Sequence, residues 1–139
     1  MEIEIENRLD AMIPCLERVE AYLKQQGVEL ENRLPIGLCL EEILINTIRY
    51  GYPKGRTGKI HIALHASREA LHLEITDDAV PFNPLEASAS NAQTPLAERP
   101  IGGLGIPLLQ HFCDEIRYAH LAQGNRITLK KYLGTAHGN

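Results

Sequence analysis

No apolar run in the chain approaches the ~18 residues that a membrane-spanning helix requires. The N-terminus, Met1-Glu2-Ile3-Glu4, is acidic and alternating, where a secretory signal would be basic and then continuously apolar. The sequence therefore predicts neither a spanning segment nor a leader, and a cytoplasmic protein. Basic charge is also short. Fourteen Lys and Arg stand against 18 Asp and Glu, a net charge of -4, which argues against an extended nucleic-acid footprint. Cysteines are few: Cys15, Cys39 and Cys113 are widely spaced, odd in number and set in apolar helical patterns, as expected of reduced core thiols rather than disulfides or a zinc site. There is no internal repeat and no low-complexity tract.

What remains is an ordinary globular composition. At 139 residues, 44% hydrophobic and 23% charged, the chain fits one domain with one core. Ile3 and Ile5 alternate with Glu2, Glu4 and Glu6, the period of a half-exposed strand. Asp10 is positioned to cap a helix from about Ala11 to Gln26, with Met12, Leu16, Val19 and Leu23 on its apolar face, Pro14 in its first turn and Gly27 as its stop. A second helix is expected from Leu34-Pro35 to Gly51. Lys59 to Ala66, the turn Ser67-Arg68-Glu69, and a return strand through Leu71, Leu73 and Ile75 read as a hairpin. Pro81 to Gly103 has no sustained period and carries Pro84, Pro95 and Pro100. A loop of about 20 residues in a compact domain is usually functional, and the span from about 82 to 103 is read as a lid. Leu104 to Cys113 is helical, with Pro107 in its first turn. Glu115 to Ala119 and Asn125 to Leu133 pair around Gln123-Gly124. The predicted class is α+β: a two-layer sandwich with a mixed, mostly antiparallel sheet and helices on one face.

The second helix carries the polar residues that most need a reason. In Leu38-Cys39-Leu40-Glu41-Glu42-Ile43-Leu44-Ile45-Asn46-Thr47-Ile48-Arg49-Tyr50, the residues Glu42, Asn46 and Arg49 are spaced four and three apart. On a helix they project from neighbouring positions of one face, amid Ile43, Leu44, Ile45 and Ile48. A helix apolar nearly all round is buried, and each unpartnered polar group buried with it costs on the order of 2–7 kcal/mol. A bound cation and an anionic ligand would satisfy all three. The plainer alternative is a surface acid, a tolerated amide and a solvated end charge, because E-x-x-x-N alone is short and common.

Two other spots bear on chemistry. In Thr76-Asp77-Asp78-Ala79-Val80-Pro81-Phe82, paired acids end an apolar strand. An aspartate held there can accept a hydrogen bond from an exocyclic amine, and a small residue two places on lets a flat ring approach the backbone; alone, it reads more readily as a strand-ending acidic turn. In Gly102-Gly103-Leu104-Gly105-Ile106, glycines free backbone N–H groups at a helix start to face an anion. This is not the P-loop pattern, which needs a following Lys and Ser or Thr, nor a Rossmann fingerprint, which follows a strand directly.

Taken in order, E-x-x-x-N on a helix, D-x-(small)-x-P-F after a hairpin, a long loop and G-G-L-G-I opening a helix resemble the N, G1 and G2 boxes of the GHKL ATP-binding superfamily, whose fold is the histidine-kinase-like ATPase (Bergerat) sandwich. The small size, Pro-Phe-Asn-Pro after the first acid, and Gly-Gly-Leu-Gly-Ile-Pro-Leu-Leu followed by Asp-Glu-Ile-Arg-Tyr most resemble the anti-sigma-factor serine/threonine kinases. The resemblance spans roughly Leu38 to Lys131. It implies ATP and Mg2+ as cofactors, with Asn46 coordinating the metal and Glu42 activating the attacking hydroxyl. It also implies Asp77 bonding the adenine amine, Ala79 and Phe82 beside it, Gly103, Leu104 and Gly105 approaching the phosphates, and Arg49 and Tyr50 reaching phosphate oxygens. Two positions depart from the family pattern: Ala79 stands where glycine is usual, and Tyr50 where histidine is frequent. Alanine cannot adopt positive φ cheaply, so the turn after Asp77 is expected to differ.

The implied function is an ATP-dependent kinase that phosphorylates an anti-sigma-factor antagonist and sequesters a sigma factor, with a homodimer possible and no direct nucleic-acid or membrane partner. A nucleotide-gated binding regulator with little transfer is the alternative. A histidine-kinase fragment fits less well. The chain is short for a phosphoacceptor domain, and His61, His65, His72, His111, His120 and His137 are not set in a dimerisation hairpin.

Overall fold

Period-two alternation builds a sheet whose two faces differ in chemistry. In the computed structural model, which describes residues 1–81 and 105–134, the strands are β1 (Glu2–Glu6), β2 (Lys59–Ala66), β3 (Ala70–Asp77), β4 (Glu115–Leu121) and β5 (Gly124–Tyr132). They form one five-stranded sheet in the order β1-β2-β3-β5-β4, with every neighbouring pair antiparallel. Ile60, Ile62, Leu64, Leu73, Ile75, Ile127 and Leu129 are buried on one face, while His61, His65, His72 and Arg126 alternate with them on the other. Such a one-sided sheet stays stable only when a second layer covers its apolar face.

Three helices are described: α1 (Leu9–Gln25), α2 (Leu30–Tyr50) and α3 (Gly105–Phe112). Met12, Cys15, Val19 and Leu23 recur at helical spacing along α1, and Ile36, Cys39, Leu40, Ile43 and Leu44 along α2, all within the same buried cluster as the sheet residues. Arg33 fastens α2 to the end of α1, donating to Glu20 Oε2 at 3.0 Å and to the Val28 carbonyl at 2.8 Å. The three cysteines are free and buried, as expected of core thiols. Among the described residues, no helix is long and apolar enough to cross a membrane.

The expected hairpin runs with its predicted limits, closed by Ser67 N–H donating to the Ala70 carbonyl and Ala70 N–H to Ser67 Oγ. Helix starts depart from the sequence reading. The N-cap of α1 is Arg8, in extended conformation and without a side-chain capping bond, while Asp10 lies in the first turn 3.6 Å from Arg8. There its charge complements the helix dipole instead of capping. Pro14 and Pro35 are each the sixth residue of their helix rather than first-turn residues, so α2 begins at Leu30, four residues before Leu34. Each proline removes one N–H to the carbonyl four residues earlier, near a helix start. The packed faces of both helices offset that loss. Strand β4 runs two residues past Ala119, β5 spans Gly124–Tyr132 rather than Asn125–Leu133, and Cys113 follows α3 instead of ending it. The span read as a lid lies outside the described residues.

Because Leu40 is fully buried on α2 and Leu34 is exposed on the same helix, truncation should separate them. Leu40→Ala should cost about 2–5 kcal/mol in chemical denaturation. Leu34→Ala should stay within about 0.5 kcal/mol of wild type.

Candidate functional site

The buried cluster of α2 holds polar groups as well as apolar ones. Glu42 is 6% exposed and Asn46 2%. One turn apart, they meet directly, with Asn46 Nδ2 donating to Glu42 Oε2 at 3.2 Å. That contact turns the amide nitrogen toward the carboxylate, so Oδ1 is the atom of Asn46 with the chemistry of a hard-cation ligand. Among the described residues, no group of three or more His, Cys, Asp or Glu is placed to hold a metal ion. A cation at Asn46 would draw most of its oxygen shell from a ligand and water, the usual habit of Mg2+ with phosphates. Arg49, three residues on, is exposed in the last turn, where its charge opposes the helix dipole favourably, and Tyr50 beside it is exposed too. The structure thus joins Glu42 with Asn46 and leaves Arg49 and Tyr50 exposed at the end of the helix.

The end of α2 is pinned to the chain leaving β3. Val80 N–H donates to the Gly51 carbonyl at 2.9 Å. A Cβ on Gly51 would stand 2.9 Å from that of Ala79, so the close approach requires glycine. This pin ties the helix of Glu42 and Asn46 to the segment that follows Asp77.

The two acids at the end of β3 have separate environments. Asp78 clasps the connection before β2: its Oδ1 accepts from the Tyr52 hydroxyl at 2.9 Å and from Lys59 N–H at 3.0 Å. Burial works against its ionised form, but these bonds and the Arg56 charge prevail and hold its pKa below the ordinary carboxylate value. Asp77 is 8% exposed. Its Oδ1 accepts from Ala79 N–H at 2.9 Å and from Asn125 Nδ2 at 2.8 Å. Burial nevertheless dominates and raises its pKa above the ordinary value, with Asp78 adding to the shift and the two hydrogen bonds opposing it. No non-glycine residue among those described has positive φ. The turn therefore closes on an ordinary backbone, with the Ala79 amide folded back onto the aspartate in place of a glycine turn.

Sequence reasoning missed three contributors, all from the β4–β5 hairpin. Asn125 is 1% exposed and pairs in register with Asp77. Tyr118 donates its hydroxyl to Asn125 Oδ1. Gly124 has φ +147°, and a Cβ there would lie 1.8 Å from the Asp77 carbonyl oxygen, so only glycine fits beside the aspartate backbone. The available signal was parity: Asn125 occupies an inward position of a strand whose next inward residues are Ile127 and Leu129. Of the other expected site residues, Gly105 opens α3. Phe82, Gly103 and Leu104 lie outside the described residues.

A family model described as the histidine kinase-like ATPase domain matches residues 5–131. The chain is 27% identical over 100 residues to the serine/threonine-protein kinase BtrW of Bordetella bronchiseptica, covering 72% of this chain and 70% of that protein. It is 25% identical over 118 residues to the anti-sigma F factor of Shouchella clausii, covering 84% and 81%. Among solved structures, the histidine kinase domain of a blue-light activated histidine kinase from Erythrobacter litoralis matches with a TM-score of 0.54 at 16% identity, over 86% of this chain and 60% of that chain. The catalytic domain of the histidine kinase ThkA matches with a TM-score of 0.52 at 14% identity, over 96% of each chain. At these identities the structural likeness is one of fold.

The Asp77 environment has a thermodynamic consequence. Its folded-state pKa lies above the unfolded value, so the ionised carboxylate destabilises the fold at neutral pH, and stability is recovered as pH falls through the folded pKa. Asp77→Asn keeps Oδ1 for both donors and removes the charge. Its melting temperature should match or exceed wild type at pH 7, and the advantage should vanish below about pH 4, where both side chains are neutral. Thermal melts across that range read the difference directly.

Proposed function

The chain belongs to the histidine kinase-like ATPase domain family, and on that premise we propose that it is an ATP-dependent serine/threonine kinase that phosphorylates an anti-sigma-factor antagonist and sequesters a sigma factor. The observation that carries the reading is the buried Glu42–Asn46 pair, a carboxylate and an amide held in contact on an otherwise apolar helix. Relatives named serine/threonine-protein kinase and anti-sigma F factor, each matched over most of their length, support the transfer and the partner.

In this reading Asp77 accepts a hydrogen bond from the adenine amine, with Ala79 and Phe82 beside the ring. Backbone amides at Gly103, Leu104 and Gly105 face the phosphates at the start of α3, where a helix N-terminus favours anions. Arg49 and Tyr50 reach phosphate oxygens from the rim. Mg2+ bound with the nucleotide supplies neutralisation of phosphate charge, and Asn46 Oδ1 offers it one ligand. Glu42 holds the attacking serine or threonine hydroxyl and takes its proton as the oxygen bonds the γ-phosphorus and the γ-phosphorus bond to the bridging oxygen breaks, releasing ADP. The residues from about 82 to 103 form the lid, the whole chain acts as one cytoplasmic domain, and two copies can pair.

Single-turnover phosphorylation of an antagonist protein at saturating Mg-ATP tests the proposal. Glu42→Gln should retain nucleotide affinity within a few-fold and lose about 10²–10⁴ in transfer rate. A stable Glu42→Gln protein with wild-type transfer would remove Glu42 as the base. ATP binding without any transfer by wild type would favour a nucleotide-gated binding regulator over a kinase.

A further inference from the structure

The hydrogen bonds around Asp77 form a directed chain across three strands. Tyr118, from edge strand β4, donates to Asn125 Oδ1. Asn125 Nδ2, on β5, donates to Asp77 Oδ1 at 2.8 Å and to the Val80 carbonyl at 3.0 Å. This arrangement fixes which way the amide points. Reversed, its oxygen would face two acceptors, the Asp77 carboxylate and the Val80 carbonyl. Two donors, Asn125 Nδ2 and Ala79 N–H, therefore converge on the same carboxylate oxygen. The rotation of the carboxylate is set from one side, and Oδ2 is the oxygen that carries neither of these two bonds.

From this geometry we propose that Asn125, oriented by Tyr118, is a positioning and specificity-determining residue that keeps Asp77 an ionised acceptor and so sets the preference of the pocket for a 6-amino purine over a 6-oxo purine. The proposal rests on the nucleotide-binding reading above. An ionised carboxylate accepts from an exocyclic amine and repels a carbonyl oxygen at the same position. A protonated one can donate to that carbonyl, and discrimination relaxes. Burial already favours the protonated form of Asp77, and the Asn125 amide is the first of the bonds that oppose it. Removing the amide moves the balance toward protonation. Among the described residues, the charged and titratable groups around Asp77 are Asp78 beside it, Tyr52, Arg56 and Lys59, which engage Asp78, Glu4 and His61 from β1 and β2, and Tyr118 and His120 from β4. Because wild type and variants share His61 and His120, the difference between their pH profiles isolates the aspartate.

The test is calorimetric titration of the full chain with Mg-ATP and Mg-GTP from pH 5.5 to 8.5, for wild type, Asn125→Ala and Tyr118→Phe, with thermal melts alongside. For Asn125→Ala the expected result is a 10-fold or greater loss of ATP affinity at pH 6. Its ATP affinity should fall toward acid from a higher pH than in wild type, and its ATP-to-GTP ratio should be several-fold lower. Tyr118→Phe should move both quantities the same way by a smaller factor, and it carries the test alone if Asn125→Ala does not fold. Folded variants with unchanged pH profile and base selectivity overturn the proposal. So does a loss of affinity uniform across pH and across both nucleotides, which is the mark of a merely structural asparagine. Wild type that binds neither nucleotide would instead overturn the nucleotide-binding reading on which the proposal rests.

Discussion

A carboxylate buried at the end of a strand is the constraint around which the site is arranged. Asp77 loses most of its hydration on folding, a cost of several kcal/mol for an unpartnered charge. Backbone N–H of Ala79 and the side chain of Asn125 return part of it through hydrogen bonds to an ionised acceptor, each stronger than a neutral pair. Those two bonds dictate the rest of the corner. Ala79 must fold back two residues after the acid, Asn125 must lie opposite it in the next strand, and Gly124 must have no side chain because the Asp77 carbonyl fills its space. Carboxylates perturbed in this way recur at functional sites, and burial raises the pKa of Asp77.

The same corner is coupled to the helix layer through backbone contacts. Val80 and Gly51 join the exit of β3 to the end of α2, so the acid at the end of the central strand and the Glu42–Asn46 pair belong to one packed unit. In the proposed reading one part offers a hydrogen-bond acceptor to a base, and the other an amide oxygen to a cation and a carboxylate to a proton. Asp78, one residue from Asp77, serves the connection before β2 instead, bonded to Tyr52 and Lys59. Adjacent identical side chains thus have different tasks because one closes β3 in register with Asn125 and the other, just past the strand end, meets Tyr52 and Lys59.

Local pattern made much of this legible. The β2–β3 hairpin follows from alternation and a Ser-x-x turn, and the buried face of α2 from its apolar spacing, so Glu42, Asn46 and Asp77 stood out as polar residues in apolar settings. Helix starts were not legible, because Pro14 and Pro35 suit a first turn as well as the second, and packing settles which applies. Asn125 was hidden for a different reason. A polar residue beside a glycine turn is ordinary by itself; only the β3–β5 register, joining residues 48 apart in sequence, makes it a partner of Asp77. Parity along β5 points inward at Asn125, but not at whom it meets.

The central claim is that base recognition and cation handling occupy opposite ends of one site, at Asp77 and at Asn46. Side-chain amide resonances of Asn125 and Asn46, followed by NMR as adenosine and then Mg-ATP are added, read the two ends separately. The account predicts that adenosine alone shifts Asn125 and leaves Asn46 in place, and that Mg-ATP shifts both. An Asn46 response to adenosine, or an unmoved Asn125 under saturating Mg-ATP, would contradict it.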